Sequence, residues 1–150
     1  MRRLMPAAAV VVLACGGGSG PQSAATSPVA SSAQAVRMFM QAAADSNLTR
    51  MGELWGGDNG PAAQTGMPAD YEKRLVIMQA YLRGDSIQVV SDMSVPGDAG
   101  HRRVMVALYR QSCPKQIPMT LVKTKAGGWI VNAVDLNAAG NPARPCESSP

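Results

Sequence analysis

The chain has 150 residues, of which 46% are hydrophobic and 16% charged, which is typical of one globular domain. Its 14 basic and 10 acidic side chains give a formal charge of +4, but two of the basic residues are Arg2 and Arg3 at the start of the chain. The remaining small excess argues against nucleic-acid binding, which needs a clustered basic face. The only local basic cluster, His101-Arg102-Arg103, is interpreted as a solvated turn.

Residues 1–14 have the features of an export signal. Arg2 and Arg3 form a positive end, and Pro6 to Leu13 form an apolar run. A membrane span needs about twenty apolar residues, so this shorter run predicts a cleaved signal peptide over 1–14.

The sequence Val12-Leu13-Ala14-Cys15, followed by Gly16, resembles the lipobox of bacterial lipoproteins. This resemblance implies that Cys15 carries lipid and is the first residue of the mature chain. Each buried methylene contributes about 0.8 kcal/mol, so several acyl chains on Cys15 would anchor the protein permanently to a membrane lipid layer. The expected location is the bacterial cell envelope, facing the periplasm or the exterior. The alternative is an ordinary secretory signal cleaved near Ala14, which leaves Cys15 as a thiol.

The three cysteines fit this interpretation. An odd number is awkward in an oxidising compartment, but lipid on Cys15 leaves Cys113 and Cys146 as one pair. We therefore predict a disulfide between Cys113 and Cys146, and the alternative is two free thiols.

The mature chain divides into a tether, a domain and a tail. Residues 15–30 are predicted to be the lipidated Cys and a flexible tether, because Gly, Ser and Pro dominate and no apolar periodicity is present. A single α+β domain is predicted over 31–146, and a disordered tail over 147–150.

Three helices are predicted at the start of the domain. Ser31 and Gln34 have the spacing of a capping box at the start of the first helix, and Asn47 can cap a second, shorter helix. A Gly- and Pro-rich stretch over 56–68 is predicted to be a loop, and the third helix follows it, with Gly84 as its C-cap.

From Asp85 the apolar period becomes alternating, which predicts strands over about 86–94, 102–111, 117–124 and 128–136. Because the connections are too short for helical crossovers, the strands should form an antiparallel meander. The second and fourth strands then end on the same side of the sheet, so the segment after the fourth strand can bring Cys146 to Cys113.

Two stretches and this element order carry a family resemblance. Ala35-Val36-Arg37-Met38-Phe39-Met40-Gln41-Ala42-Ala43 opens the domain, and Gly127-Gly128-Trp129-Ile130-Val131-Asn132 begins the last strand. Over roughly 31–137 the chain resembles the nuclear transport factor 2-like, or cystatin-like, superfamily. The resemblance implies a cone-shaped α+β roll, with N-terminal helices packed on a four-stranded antiparallel sheet and an apolar pocket between them. Enzymes of that superfamily place Asp, Tyr or His groups in this pocket.

The candidate polar residues for such a pocket are Arg110, Asp135 and Tyr109. Arg110 and Asp135 lie among apolar neighbours, and a pair inside the pocket would give Asp135 base character. The alternative is a surface ion pair, worth less than about 1 kcal/mol. The sequence shows no nucleophilic triad, no metal-ligand spacing and no phosphate loop, so no catalytic residue, metal or cofactor is predicted.

Three functional hypotheses remain from the sequence. The first is a membrane-anchored envelope lipoprotein whose non-catalytic domain binds a small apolar ligand or an envelope protein. The alternative is an enzyme of the isomerase or dehydratase type with an apolar pocket, using Asp135 and a tyrosine as acid and base. A third is a passive domain assembled into an envelope complex.

The anchor hypothesis predicts the behaviour of Cys15→Ala. This variant should move from the membrane fraction to the soluble fraction, because the acyl chains have no other attachment point. Detergent phase partition of the exported protein measures this, with Cys146→Ala as the matched control that keeps the anchor. A Cys15→Ala protein that remained with the membrane would contradict lipidation at this residue.

Overall fold

The computed structural model of the protein describes residues 27–147. The helices are α1 (Ser32–Ala44), α2 (Leu48–Leu54), α3 (Ala62–Thr65) and α4 (Tyr71–Leu82). The strands are β1 (Gly56–Gly57), β2 (Gly60–Pro61), β3 (Ser86–Val95), β4 (Asp98–Arg110), β5 (Cys113–Lys123) and β6 (Trp129–Val134). The predicted signal peptide, Cys15, most of the tether and the last three residues lie outside the described range.

The last four strands form one antiparallel sheet in the order β3-β4-β5-β6, so the predicted α+β class and the meander are confirmed. The predicted turn at His101-Arg102-Arg103 is wrong, because β4 already begins at Asp98. The chain reverses at Pro96-Gly97 instead, where Gly97 has a φ of +76°. Arg102 therefore lies within a strand and its Nε donates across the sheet to Asp92 at 2.5 Å.

Local capping positions the first two helices. The Ser31 hydroxyl accepts a hydrogen bond from the Gln34 backbone N–H at 3.2 Å, and the Asn47 side chain accepts one from the Arg50 N–H at 2.9 Å. Each bond satisfies a backbone donor that the first helical turn leaves without a partner. The predicted caps of both helices are confirmed.

The stretch 56–68 is not the open loop that its glycines and prolines suggested. It contains the small β1–β2 hairpin and the short helix α3, and Ala62 at the start of α3 is fully buried. None of the helices within residues 27–147 has the length and apolar character needed to cross a bilayer.

The core lies between the helices and one face of the sheet. Helix α1 contacts β3, β4 and β6, and α2 and α4 pack against α1. Large side chains fill the space between these layers, and the fully buried ones are Val36, Phe39, Met40, Met51, Leu54, Leu82, Val104, Val106, Leu108, Ile117, Met119 and Leu121. Because methionine adapts to irregular gaps, a core with few aromatic residues can still be filled in this way.

Gly84 follows α4, but it does not act as the predicted left-handed C-cap. The cap residue is Arg83, in an extended conformation, and Gly84 has no positive φ. The glycine is required by close packing, since an added Cβ would meet the Leu108 side chain and lie 2.8 Å from the Tyr109 carbonyl oxygen. Gly84 thus allows the chain after α4 to run directly against β4.

We expect Gly84→Ala to destabilise the domain by about 1–3 kcal/mol, the usual cost of overpacking against backbone that cannot move away. Gly57→Ala is the matched control, because nothing lies within 4 Å of a Cβ built there and its φ is not positive. Urea unfolding of both variants measures the difference in the free energy of unfolding. Equal stability of the two variants would show that the close approach at Gly84 does not constrain the fold.

Candidate functional site

A concave surface runs between α4 and the end of β6. Two adjoining depressions of about 330 and about 370 Å³ meet here, and both have Trp55, Arg74 and Asn132 in their walls. The more apolar of the two is called the α4–β6 groove, and its walls consist of Trp55, Arg74, Ile77, Met78, Asn132, Ala133, Val134 and Leu136. The second depression extends from it over the β1–β2 hairpin.

The wall of the groove that contains Trp55 and Asn132 is held by paired polar groups. Trp55 is 7% exposed, and its indole N–H donates to the Asn132 carbonyl oxygen at 3.0 Å. The Asn132 side-chain amide donates in return to the Gly56 carbonyl oxygen at 2.8 Å. Trp55 also forms a parallel bridge with Val131, so the segment after α2 is fixed to the edge of the sheet. The large indole is thus held in one position under the groove.

The opposite wall is an apolar flank of α4. Leu75, Met78 and Leu82 face the core, but Val76 and Ile77 are 51% and 52% exposed. Ile77 lines the α4–β6 groove, whereas Val76 lies outside both depressions. Ile77 therefore adds exposed apolar surface to this wall of the groove.

Among the described residues, Arg74 is the only charged side chain in the walls of either depression. Its Nε donates to Asp70 Oδ1 at 2.9 Å, one helical turn earlier. The hydrogen bond from Arg74 lowers the pKa of Asp70, and the ionised carboxylate orients the guanidinium. Both side chains are about half exposed, so the pair contributes little to stability.

Arg110, a candidate pocket residue from the sequence, has a different environment. It is 6% exposed, and its guanidinium donates to the carbonyl oxygens of Arg83 at 2.7 Å, Ala139 at 2.8 Å and Tyr81. Two of these carbonyls belong to the C-terminal end of α4. The last carbonyl groups of a helix have no N–H partner within the helix, and the helix dipole favours a positive charge there. Burial lowers the pKa of Arg110, but a guanidinium remains charged at neutral pH.

The structure does not bring Arg110, Asp135 and Tyr109 together. Asp135 is exposed, and its Oδ1 accepts from the Ala138 backbone N–H at 3.2 Å. The Tyr109 hydroxyl donates to Gln88 Oε1 at 3.5 Å on the sheet face away from the helices. Within residues 27–147 no ion pair joins Arg110 to Asp135, neither in a pocket nor at the surface.

The single histidine of the chain lies beside a carboxylate, away from the groove. His101 lies in β4 and its Nδ1 is 2.7 Å from Asp98 Oδ2. No group of three or more His, Cys, Asp or Glu residues suited to a metal ion occurs between residues 27 and 147.

Cys113 and Cys146 form a disulfide in the structure, with their Cα atoms 5.3 Å apart. The bridge holds the segment after β6 against the start of β5. Ala139 of that segment is fully buried and belongs to the core, so the segment closes the end of the helix–sheet layer beside Arg110.

The residues that form the groove are not among those that the sequence pattern predicts to be functional. Ile77 lies off the buried stripe of its helix, and such an apolar outlier could have been noticed. Trp55 follows α2 directly in an extended conformation, which a helical pattern does not show. The role of Asn132 depends on a register shift between β5 and β6 that a sequence pattern does not show either.

No protein-family model, curated protein or solved structure matches the chain. The function therefore has to be inferred from the residues and their geometry.

Arg110→Met should destabilise the domain by about 3 kcal/mol, since a buried polar group left without a partner costs about 1–3 kcal/mol and three carbonyls lose their donor. Arg83→Met is the control, because the Arg83 side chain is exposed and only its backbone carbonyl is used. Urea unfolding with the disulfide intact compares the two. If both variants unfolded at the same urea concentration, the three-carbonyl contact would have no net stabilising effect.

Proposed function

We propose that this chain is an exported lipoprotein of the bacterial envelope, anchored through Cys15, whose domain over 31–146 binds a ligand or partner without catalysing a reaction. The disulfide between Cys113 and Cys146 supports export, because such bonds persist in oxidising compartments and are rare in the cytosol. Membrane lipid is then the partner of acylated Cys15. The domain supplies the binding surface.

We also propose that the domain adopts the cone-shaped roll of the nuclear transport factor 2-like superfamily. The order of helices followed by a four-stranded meander is compatible with it. In such a roll the ligand pocket lies between the helices and the sheet, where this chain has buried Phe, Met, Leu, Ile and Val side chains. This filling favours binding at the rim of the layer over binding inside it.

The main support for the binding function is the α4–β6 groove. Ligand sites are mostly apolar concave surfaces with a few placed polar groups. The groove combines the half-exposed Ile77 and the fixed Trp55 with two polar residues, Arg74 and Asn132. Its volume of about 330 Å³ is at the lower end for a drug-sized ligand, so it suits one or two side chains or a small apolar group.

The enzyme alternative has less support. It needs Asp135 and a tyrosine in one apolar pocket, but Asp135 is exposed beside a backbone N–H, and Tyr109 lies on the sheet face away from the helices, outside the pocket that such a roll would have. An acid and a base that cannot reach the same substrate atom do not form a catalytic pair. Binding is therefore the function that the geometry favours.

We expect Ile77→Asp to weaken the binding of a fluorescent apolar dye by about tenfold, because a carboxylate replaces apolar surface in the groove wall. Val76→Asp is the matched control, since it is equally exposed on the same helix but lies outside both depressions. Fluorescence titration of both variants measures the dissociation constants. Equal weakening by both substitutions would place the dye elsewhere on the protein.

A further inference from the structure

The free edge of β6 borders the α4–β6 groove. Strand β6 ends the sheet and pairs with β5 on one side only. On its other side, the Trp129 N–H donates to the Val29 carbonyl oxygen and Val131 bridges to Trp55. Together with the bond from the Trp55 indole to the Asn132 carbonyl, these contacts cover the strand from Trp129 to Asn132. Beyond them, no strand in the described range pairs with the outer edge at Val134.

The register shows which backbone groups face that open edge. The Asp135 N–H donates to the Pro118 carbonyl oxygen at 3.0 Å, and Val134 lies opposite Met119. Hydrogen-bonded and non-hydrogen-bonded pairs alternate in an antiparallel ladder. Ala133 therefore bonds to β5, whereas the N–H and C=O of Val134 point away from β5. Val134 is also part of the groove wall, across from Ile77 and Met78.

The groove thus offers the backbone N–H and C=O of Val134 on one wall and apolar side chains on the other. An extended peptide can satisfy both, because its backbone adds a strand to the edge while its alternate side chains enter the groove. A fatty acid would bury the same apolar surface, but its acyl chain has no group that accepts from the Val134 N–H or donates to the Val134 C=O. The strand edge therefore favours a peptide.

The charge of the walls specifies the peptide further. Arg74 is the only charged side chain that lines either depression within residues 27–147. Its bond to Asp70 uses Nε, so the two Nη groups are available to donate to a second carboxylate. Charge complementarity therefore favours an anionic end on the bound segment.

We propose that the α4–β6 groove binds an extended peptide with alternating apolar side chains, which adds a strand to β6 and places its C-terminal carboxylate at Arg74. This inference rests on the proposed function, since it names the partner of the same groove. Val134 supplies the backbone contact, Ile77 the apolar contact and Arg74 the charge contact.

The backbone part is tested by amide hydrogen exchange of the uniformly labelled chain, expressed as Cys15→Ala so that it is soluble. In the free protein, the Val134 amide should exchange about tenfold or more faster than the Ala133 amide, because only Ala133 is bonded to β5. Equal protection of the two amides would overturn the strand-addition geometry.

The partner is tested with a display library of random short peptides that have free C-termini, selected against the same Cys15→Ala chain. Enriched peptides should carry apolar residues at alternate positions and should protect the Val134 amide when bound. The synthetic free acid should bind about tenfold more tightly than its C-terminal amide, and Arg74→Gln should remove that preference. Ile77→Asp should abolish binding, while Val76→Asp should not change it.

Two outcomes would overturn the proposal. One is that no enriched peptide distinguishes Ile77→Asp from Val76→Asp. The other is that decanoate displaces the apolar dye from the groove while no selected peptide does, which would assign the site to a lipid.

Failure of the peptide inference can be separated from failure of the proposed function. If the dye binds and depends on Ile77 but no peptide is selected, the groove is a binding site and only its occupant is wrong. If the dye is also insensitive to Ile77→Asp, the binding function proposed for the groove fails as well.

Discussion

The contact on which the rest of the domain depends is the buried guanidinium of Arg110. From β4 it reaches the carbonyl oxygens of Tyr81 and Arg83 at the end of α4 and that of Ala139 in the C-terminal segment. One side chain therefore joins the sheet, a helix terminus and the segment after β6. A buried charge is tolerated here because three carbonyl dipoles surround it and the helix terminus favours a cation. Cys113 lies opposite Arg110 in the ladder, so the disulfide holds the C-terminal segment at the same corner.

This corner determines the position of the groove wall. Helix α4 is fixed at its C-terminal end by Arg110, and Gly84 allows the chain to pass directly onto β4. The other wall is fixed independently, through the reciprocal hydrogen bonds of the Trp55 and Asn132 segments. Both walls of the groove are held by polar contacts. Few of their side chains have to be ordered when a ligand binds, so the entropy cost of association is lower.

The parts of the fold that were predictable from sequence are those with local causes. Ser31 and Asn47 cap helices because their side chains reach a backbone N–H three residues later, and the alternation after Asp85 predicts a meander without further information. The sequence shows Arg110 as a charged residue among apolar ones, and such a residue is expected to pair with a carboxylate. Its actual partners are carbonyl oxygens from two distant segments, and no pattern of side chains encodes them. The groove is not predictable from sequence for the same reason, because the direction of the Val134 N–H and C=O depends on strand register.

The position of the α4–β6 groove at the edge of the sheet is consistent with the proposed lipid anchor. The Val29 carbonyl accepts from Trp129, so the chain that leads from Cys15 joins the domain at the same strand edge that borders the groove. The segment between Cys15 and Ser27 spans at most roughly 40 Å when fully extended. If Cys15 carries lipid, the domain stays within that reach of the bilayer, and the segments it meets are those of proteins that also lie at the membrane surface. If the groove binds such segments as proposed, tethering at a short distance raises their effective concentration, and a contact of only a few residues is then sufficient.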